Sequence, residues 1–249
     1  MSPLQRHQAT PLVDYSIKSM QDAADFNAGE IIAPVKKVGK ETDTYYIYNL
    51  AQQFRRPSTL RSDKEPSKRI DFTELSTGAY SLKIHSLEMP ISKVDRESSD
   101  PAVNPDLDAI DELTRGILLD RETDIALKIF TTTGVGGVTL TDGAYDQDTI
   151  TSSPITDINS GTAAILRNTG RKANFMFMGH RTFKILSEHQ DFLDRIKWSS
   201  LGVMTENLMG QVLNIEKVAV NNVIQRTTNE GISATTGFLF DTKVLVGFN

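Results

Sequence analysis

The sequence predicts an α+β fold, and three observations carry that prediction. One helical period runs from residue 105 to about 132, far longer than the average globular helix. Upstream of it, two β-type runs bracket a long polar, basic stretch. Downstream, strand-length apolar runs alternate with helical ones, which is the texture of a compact α/β domain.

Residues 1 to about 38 read as an extended arm, with Pro3, Pro11 and Pro34 and one short amphipathic stretch from Ile17 to Phe26. Such a segment has few apolar residues to bury by itself, so it must lie on another surface. Tyr45-Tyr46-Ile47-Tyr48-Asn49-Leu50 is aromatic and β-branched and reads as a strand. A second strand is expected from Tyr80 to Leu87, where Tyr80, Leu82, Ile84 and Ser86 alternate imperfectly with Ser81, Lys83, His85 and Leu87. Between the two, Arg55, Arg56, Arg61, Lys64, Lys68 and Arg69 meet only Asp63 and Glu65 as acids before Asp71. The result is a two-stranded projection with a basic tip. An isolated hairpin is marginal in water, and long tips in compact domains are usually functional or disordered, so a partner surface is required.

The long helix has the clearest start in the chain. Asn104 supplies an N-cap and Pro105 fills the first helical position. Asp106, Asp108, Asp111 and Glu112 crowd the first turns, where the helix dipole favours negative charge. Leu107, Ile110, Leu113, Ile117, Leu118, Ile125, Ile129 and Phe130 recur near the helical period. The run stops at Thr131-Thr132-Thr133-Gly134, giving a rod of about 42 Å at ~1.5 Å per residue.

From Gly134 to Thr156 the chain is rich in Gly, Thr and Asp and reads as loop and hairpin. A short helix is expected from Gly161 to Asn168, then a buried strand at Asn174-Phe175-Met176-Phe177-Met178 and a helix from His180 to about Lys197. Thr205 caps a short helix reaching Leu213. The strands Lys217 to Val220, Gly237 to Phe240 and Val244 to Val246 complete the domain.

Composition bounds the function. The 249 residues suit one large domain or two small ones, and 39% hydrophobic content with mean hydropathy −0.29 allows a core. No run of about 18 apolar residues suggests a membrane span, and the N-terminus lacks a signal-peptide core. With no cysteine there are no disulfides, thiolate metal sites or cysteine nucleophiles. A net charge of −5 argues against a dedicated nucleic-acid binder. His7, His85, His180 and His189 are scattered, the last two nine apart on the expected helix, and form no shared metal site. Gly134-Val135-Gly136-Gly137 follows a helix, where a phosphate-binding loop would follow a strand, and reads as a helix stop. No nucleophile elbow, Walker or zinc-protease pattern occurs, so neither a catalytic site nor a cofactor is expected.

The order of arm, basic projection, one very long helix and α/β domain resembles the Hong Kong 97 phage-type coat fold. Locally, Tyr80-Ser81-Leu82-Lys83 and Met89-Pro90-Ile91-Ser92-Lys93-Val94-Asp95-Arg96 look like the family's return strand and the turn before its spine helix. Leu118 to Ala126 looks like the middle of that helix, and His180 to Val220 like the family's axial domain. The resemblance implies an N-terminal arm (1–38), an extended loop (39–90), a peripheral domain with the spine helix (91–158) and an axial domain (159–249). It implies a tailed-phage major capsid protein that self-assembles as hexamers and pentamers into an icosahedral shell around the DNA genome. Assembly would take place in the host cytoplasm and the product would be the virion capsid. The partners implied are copies of the chain, a portal and a decoration protein, with a scaffolding protein that is separate or dispensed with, since the chain begins at Met1 with a short arm. Packaged double-stranded DNA would be touched weakly and non-specifically, which mild acidity suits.

On that reading the basic tip (Arg55, Arg56, Arg61, Lys64, Lys68, Arg69) is expected to meet the spine-helix acids of the next copy. Those acids are Asp106, Asp108, Asp111, Glu112, Asp120, Glu122 and Asp124. An encapsulin-type nanocompartment shell shares the fold and stays open as an alternative, as do, from other classes, an α/β enzyme and a basic-loop nucleic-acid-binding module.

Overall fold

A computed structural model describes residues 23–49, 54–70, 75–99, 104–131, 145, 152–197, 203–228, 231, 233 and 235–249. The fold mixes helix and sheet, and the chain divides into two compact units, Lys36–His85 and the remainder.

The smaller unit is an antiparallel ribbon of β1 (Thr42–Tyr48) and β2 (Leu75–Ser81), in register from Thr42 opposite Ser81 to Tyr48 opposite Leu75. Each strand lies earlier than its hydrophobic pattern suggests. Leu82, Ile84 and Ser86 continue the alternation but lie beyond the strand pairing, which ends at Thr42 opposite Ser81 with the Leu82 N–H donating to the Glu41 carbonyl at 2.9 Å; alternation alone makes no sheet.

In the larger unit a four-residue helix, α1 (Ala28–Ile31), is followed after the ribbon by α2 (Lys93–Ser98) and α3 (Pro105–Thr131). The start of α2, read from sequence as a turn, is closed by Ser92, whose Oγ accepts the Asp95 N–H at 3.1 Å. α3 is the expected long helix. Asn104 Oδ1 accepts the N–H groups of Asp106 at 3.2 Å and Leu107 at 3.4 Å, as the Asn-Pro signature requires. Beyond it α4 (Pro154–Thr169) begins earlier than Gly161, because Pro154 is itself a good first helical residue. Gly170 ends it in the left-handed conformation at φ 69°. The expectation for residues 17–22 lies outside the described residues, as do 134–144 and 146–151 of the stretch expected as loop and hairpin from 134 to 156, whose last residues, 154–156, are instead the first turn of α4.

The centre of the unit is β3 (Phe175–Gly179), flanked by parallel β4 (Lys217–Asn221) and antiparallel β7 (Val244–Gly247). All five β3 residues are buried, because successive side chains point to opposite faces and both faces are covered. Met176 and Met178 pack with Ile155, Leu186, Phe192 and Met209 from the helices. Phe175 and Phe177 face the other way, onto Ala28 and Ile31 of α1, Phe240, and Ile125, Ala126 and Phe130 of α3. Phe240 stands edge-on to Phe177 at 5.0 Å and to Phe130 at 6.1 Å, so it ties sheet to long helix. Of the described arm residues, Phe26, Ala28 and Ile31 are buried, whereas Val35 and Val38 are exposed.

Two helices stand where one was expected after β3. α5 (His180–Glu188) and α6 (Gln190–Ile196) are separated by His189, whose extended backbone (ψ 137°) breaks the helix. Its Nδ1 then caps α6 by accepting the Asp191 N–H at 3.1 Å. A capping histidine has no strong sequence signature, which is why the apolar period ran through it. α7 (Glu206–Leu213) is capped by Thr205 as expected. A second ribbon pairs β5 (Ile224–Arg226), whose short polar sequence gives no strand signal, with β6 (Thr236–Phe238).

Candidate interaction surfaces

Every residue of β1 is exposed, and so is most of β2, so the ribbon has no core of its own. Tyr45, Tyr46 and Tyr48 line it, Tyr46 at 71% exposure, and Leu60 and Ile70 lie exposed in the tip segment. Exposed aromatic side chains on a strand pair suit contact with a partner. Arg55, Arg56, Arg61, Lys64, Lys68 and Arg69 are all exposed as well, with Lys68 Nζ donating to Ser58 Oγ at 3.0 Å. The surface is therefore both aromatic and cationic.

The acids of α3 divide into groups. Asp111, Glu112 and Asp120 are exposed and Asp108 is half-buried. Asp106 pairs with Arg96 at 2.8 Å, and Asp124 with Lys128 at 3.5 Å, one turn away. Exposed Leu107, Ile110, Ile117 and Leu127 interleave with these acids. Exposed apolar and acidic groups on one long rod complement an aromatic, basic ribbon.

Glu122 does not belong with them. Its side chain is 0% exposed, which removes it from any contact with another copy. Its Oε1 accepts the Gly29 N–H at 3.0 Å; its Oε2 accepts the Ala28 N–H at 3.2 Å and Asn221 Nδ2 at 3.3 Å. Arg121 Nη2 lies 3.7 Å from Oε1 and donates to the Phe26 carbonyl at 3.3 Å. Burial pushes the carboxyl above the usual glutamate range, against the N–H groups of Gly29 and Ala28 and the Arg121 charge, which pull it down. Position 122 carries the same acid-rich signature as 120 and 124; only the docking of residues 26–31 on this face of α3 distinguishes it.

Among the remaining groups, Ser152 Oγ lies 2.6 Å from His189 Nε2, the spacing of a nucleophile and base. Because His189 Nδ1 accepts a backbone N–H, the ring proton sits on Nε2 and is donated to Ser152, so the imidazole has no free lone pair to deprotonate that hydroxyl. His180 opens α5, whereas His189 lies in the break after it; His180 stacks on Phe238 at 5.3 Å and contacts Asn222. Among the described residues no cluster of His, Cys, Asp or Glu is placed to hold a metal, and no helix is long and apolar enough to cross a membrane. An open polar hollow lined by Lys172, Asn174, Glu206, Gln211 and Glu216 has no convergent catalytic geometry.

No family model matches the chain. Curated relatives do. The major capsid protein of Burkholderia phage BcepMu is 30% identical over 199 residues, 79% of this chain and 64% of that protein. The major capsid protein of Pseudomonas phage JBD67 is 27% identical over 173 residues, 67% of this chain and 54% of that protein. A phage-related protein from Bordetella bronchiseptica RB50 shares the fold, with TM-score 0.65 at 19% identity over 92% of this chain and 73% of its own. The chain thus spans about three-fifths of the length of the curated relatives it matches, and over most of its own length it is a relative of phage major capsid proteins.

Proposed function

We propose that the chain is a shell subunit of a phage capsid, working by assembly with copies of itself and not by catalysis. The observation that carries this reading is the strand pair of the unit 36–85, aromatic and cationic and with no buried residue among its described ones, in a chain similar to phage major capsid proteins. A hairpin of this kind gains its stability from what it lies on.

In this reading the architecture is the Hong Kong 97-type fold, with arm, extended loop, peripheral domain on α3 and axial domain around β3. Hexamers and pentamers close an icosahedral shell that encloses DNA, inside the host cytoplasm. Scaffold, portal and decoration proteins are the further partners. The ribbon of one copy lies along α3 of the next. Its tyrosines cover Leu107, Ile110 and Ile117, and Arg55, Arg56, Arg61, Lys64, Lys68 and Arg69 face Asp106, Asp108, Asp111, Glu112, Asp120 and Asp124. Obligate contacts of this type bury about 2,000–5,000 Å² or more, so stability resides largely in the assembly.

The test is negative-stain microscopy with light scattering on the chain expressed alone and with candidate scaffolds. Closed shells of uniform diameter are expected. Soluble monomers at every concentration and salt, with and without scaffold, refute the reading.

A further inference from the structure

We infer that the β1–β2 ribbon is two-faced: the side carrying Tyr46, Tyr48 and Leu75 seats on the larger unit of a second copy, and the side carrying Tyr45 and Tyr80 stays toward solvent. The inference rests on the shell-subunit reading.

Cross-strand neighbours in an antiparallel ladder point to the same side, and successive residues point to opposite sides. The register therefore puts Thr44, Tyr46 and Tyr48 of β1 with Ala79, Thr77 and Leu75 of β2 on one face. Asp43, Tyr45 and Ile47 share the other with Tyr80, Gly78 and Ser76. This second face is furnished from within the ribbon. The Tyr45 ring lies across Gly78, where an added β-carbon would stand 2.6 Å from its Cζ. Tyr80 Oη donates to the Lys40 carbonyl, Lys40 Nζ pairs with Asp43, and Ser76 Oγ donates to the Ile47 carbonyl, each at 3.3 Å. Gly78 and Tyr80 are accordingly the two half-buried residues of β2. The first face has no such furnishing. All six of its residues are exposed, with Tyr46 at 71%, Tyr48 at 57% and Leu75 at 43% forming one aromatic and aliphatic strip.

Charge selects the partner. Residues 36–85 hold ten Lys and Arg against six Asp and Glu, and the rest of the chain holds seventeen against twenty-six, so a +4 unit and a −9 unit make up the chain's −5. None of the ten cations lies in the ladder. Lys36, Lys37, Lys40 and Lys83 stand beyond one end of it, and the six of the tip segment beyond the other. An apolar strip bounded by cations at both ends complements an acidic surface with exposed apolar residues. The larger unit offers one, in Ile110 and Ile117 of α3 beside Asp111, Glu112 and Asp120. Nucleic acid is the poorer fit, because single-strand platforms combine aromatics and cations in one groove, and here the two are segregated.

Ser76 and Thr77 are adjacent and exposed and point to opposite faces, so one substitution made at each isolates the face. The chain has no cysteine, so Thr77→Cys and Ser76→Cys each carry a single thiol for maleimide labelling, while Thr77→Glu and Ser76→Glu change the net charge equally. On passing from subunit to shell, labelling at position 77 should slow about tenfold or more, and at position 76 by less than about twofold, since only a covered site loses solvent access. The concentration threshold for shells should rise about tenfold or more in Thr77→Glu, whose charge must be desolvated, and stay within about twofold in Ser76→Glu. Amide exchange across Thr42–Tyr48 in the subunit checks that the ladder is intact; if a Glu variant loosens it, the thiol pair decides. Equal labelling or equal thresholds at the two positions overturn the inference, as does a larger effect at 76. So does a position 77 thiol already protected in the dilute subunit, which would seat the face on its own chain, or one protected only when DNA is added. If wild type forms no shells with or without scaffold, the assembly reading itself fails. Shells in which both thiols react alike would leave that reading standing and sink the two-faced ribbon alone.

Discussion

Tyr46→Ala separates folding from assembly. The side chain is 71% exposed in the subunit, so folding has buried little of it. Exposed substitutions away from caps and cores usually change stability by no more than about 0.5 kcal/mol. The subunit should therefore melt as wild type does. Assembly should suffer. A tyrosine offers roughly 150–250 Å² of surface, so the exposed fraction leaves about 110–180 Å² for a neighbour to cover. At about 25 cal/mol per Å² that is roughly 3–4.5 kcal/mol, of which truncation to alanine removes most, about 2–3 kcal/mol per contact. The association constant of that contact falls about 30- to 150-fold. Light scattering across a concentration series reads this as a higher threshold for shell formation, alongside thermal unfolding of the unassembled subunit. An unchanged threshold would show that Tyr46 stays in solvent and would refute the ribbon-on-helix contact. A lowered melting temperature would show that its role lies within the subunit.

Further outcomes follow from the same reasoning. Converting Arg55, Arg56 and Arg61 to Glu takes the net charge from −5 to −11, since each reversal changes it by two. Shell formation should fail at low salt and recover partly at about 1 M, where the screening length is ~3 Å, as scattering in matched buffers would show. Phe240→Ala removes a fully buried ring that meets both Phe177 and Phe130, and should cost about 3–5 kcal/mol in denaturant unfolding of the subunit. Glu122 supplies a pH signature. Its folded value lies above its unfolded one, so the native state binds more protons between the two, and stability falls as pH rises through that window. Urea titrations at stepped pH should show this slope in wild type and a flatter one in Glu122→Gln.

What was legible in the sequence was whatever local chemistry dictates. Asn104 and Pro105 start α3 wherever the helix lies, because the cap and the missing proline N–H are properties of that turn alone. Thr205 caps α7 for the same reason. The apolar run at Phe175–Met178 announced a strand buried on both faces, and the tyrosines of β1 announced a strand with too little behind it.

The tertiary structure decided everything that depends on which face meets which. Asp120, Glu122 and Asp124 are alike in sequence; one is buried and two are not, because the arm docks over a single stripe of α3. That docking joins residues 93 to 95 positions apart, and no local pattern encodes such a pairing. The break at His189 has the same origin, since the α5 period continues smoothly into α6 and only the packing of Leu186, Phe192 and Ile196 into one core bends the chain there. Local propensity names the elements. The burial of one face against a distant partner assigns each charged residue to the interior or to the surface on which a second copy can act.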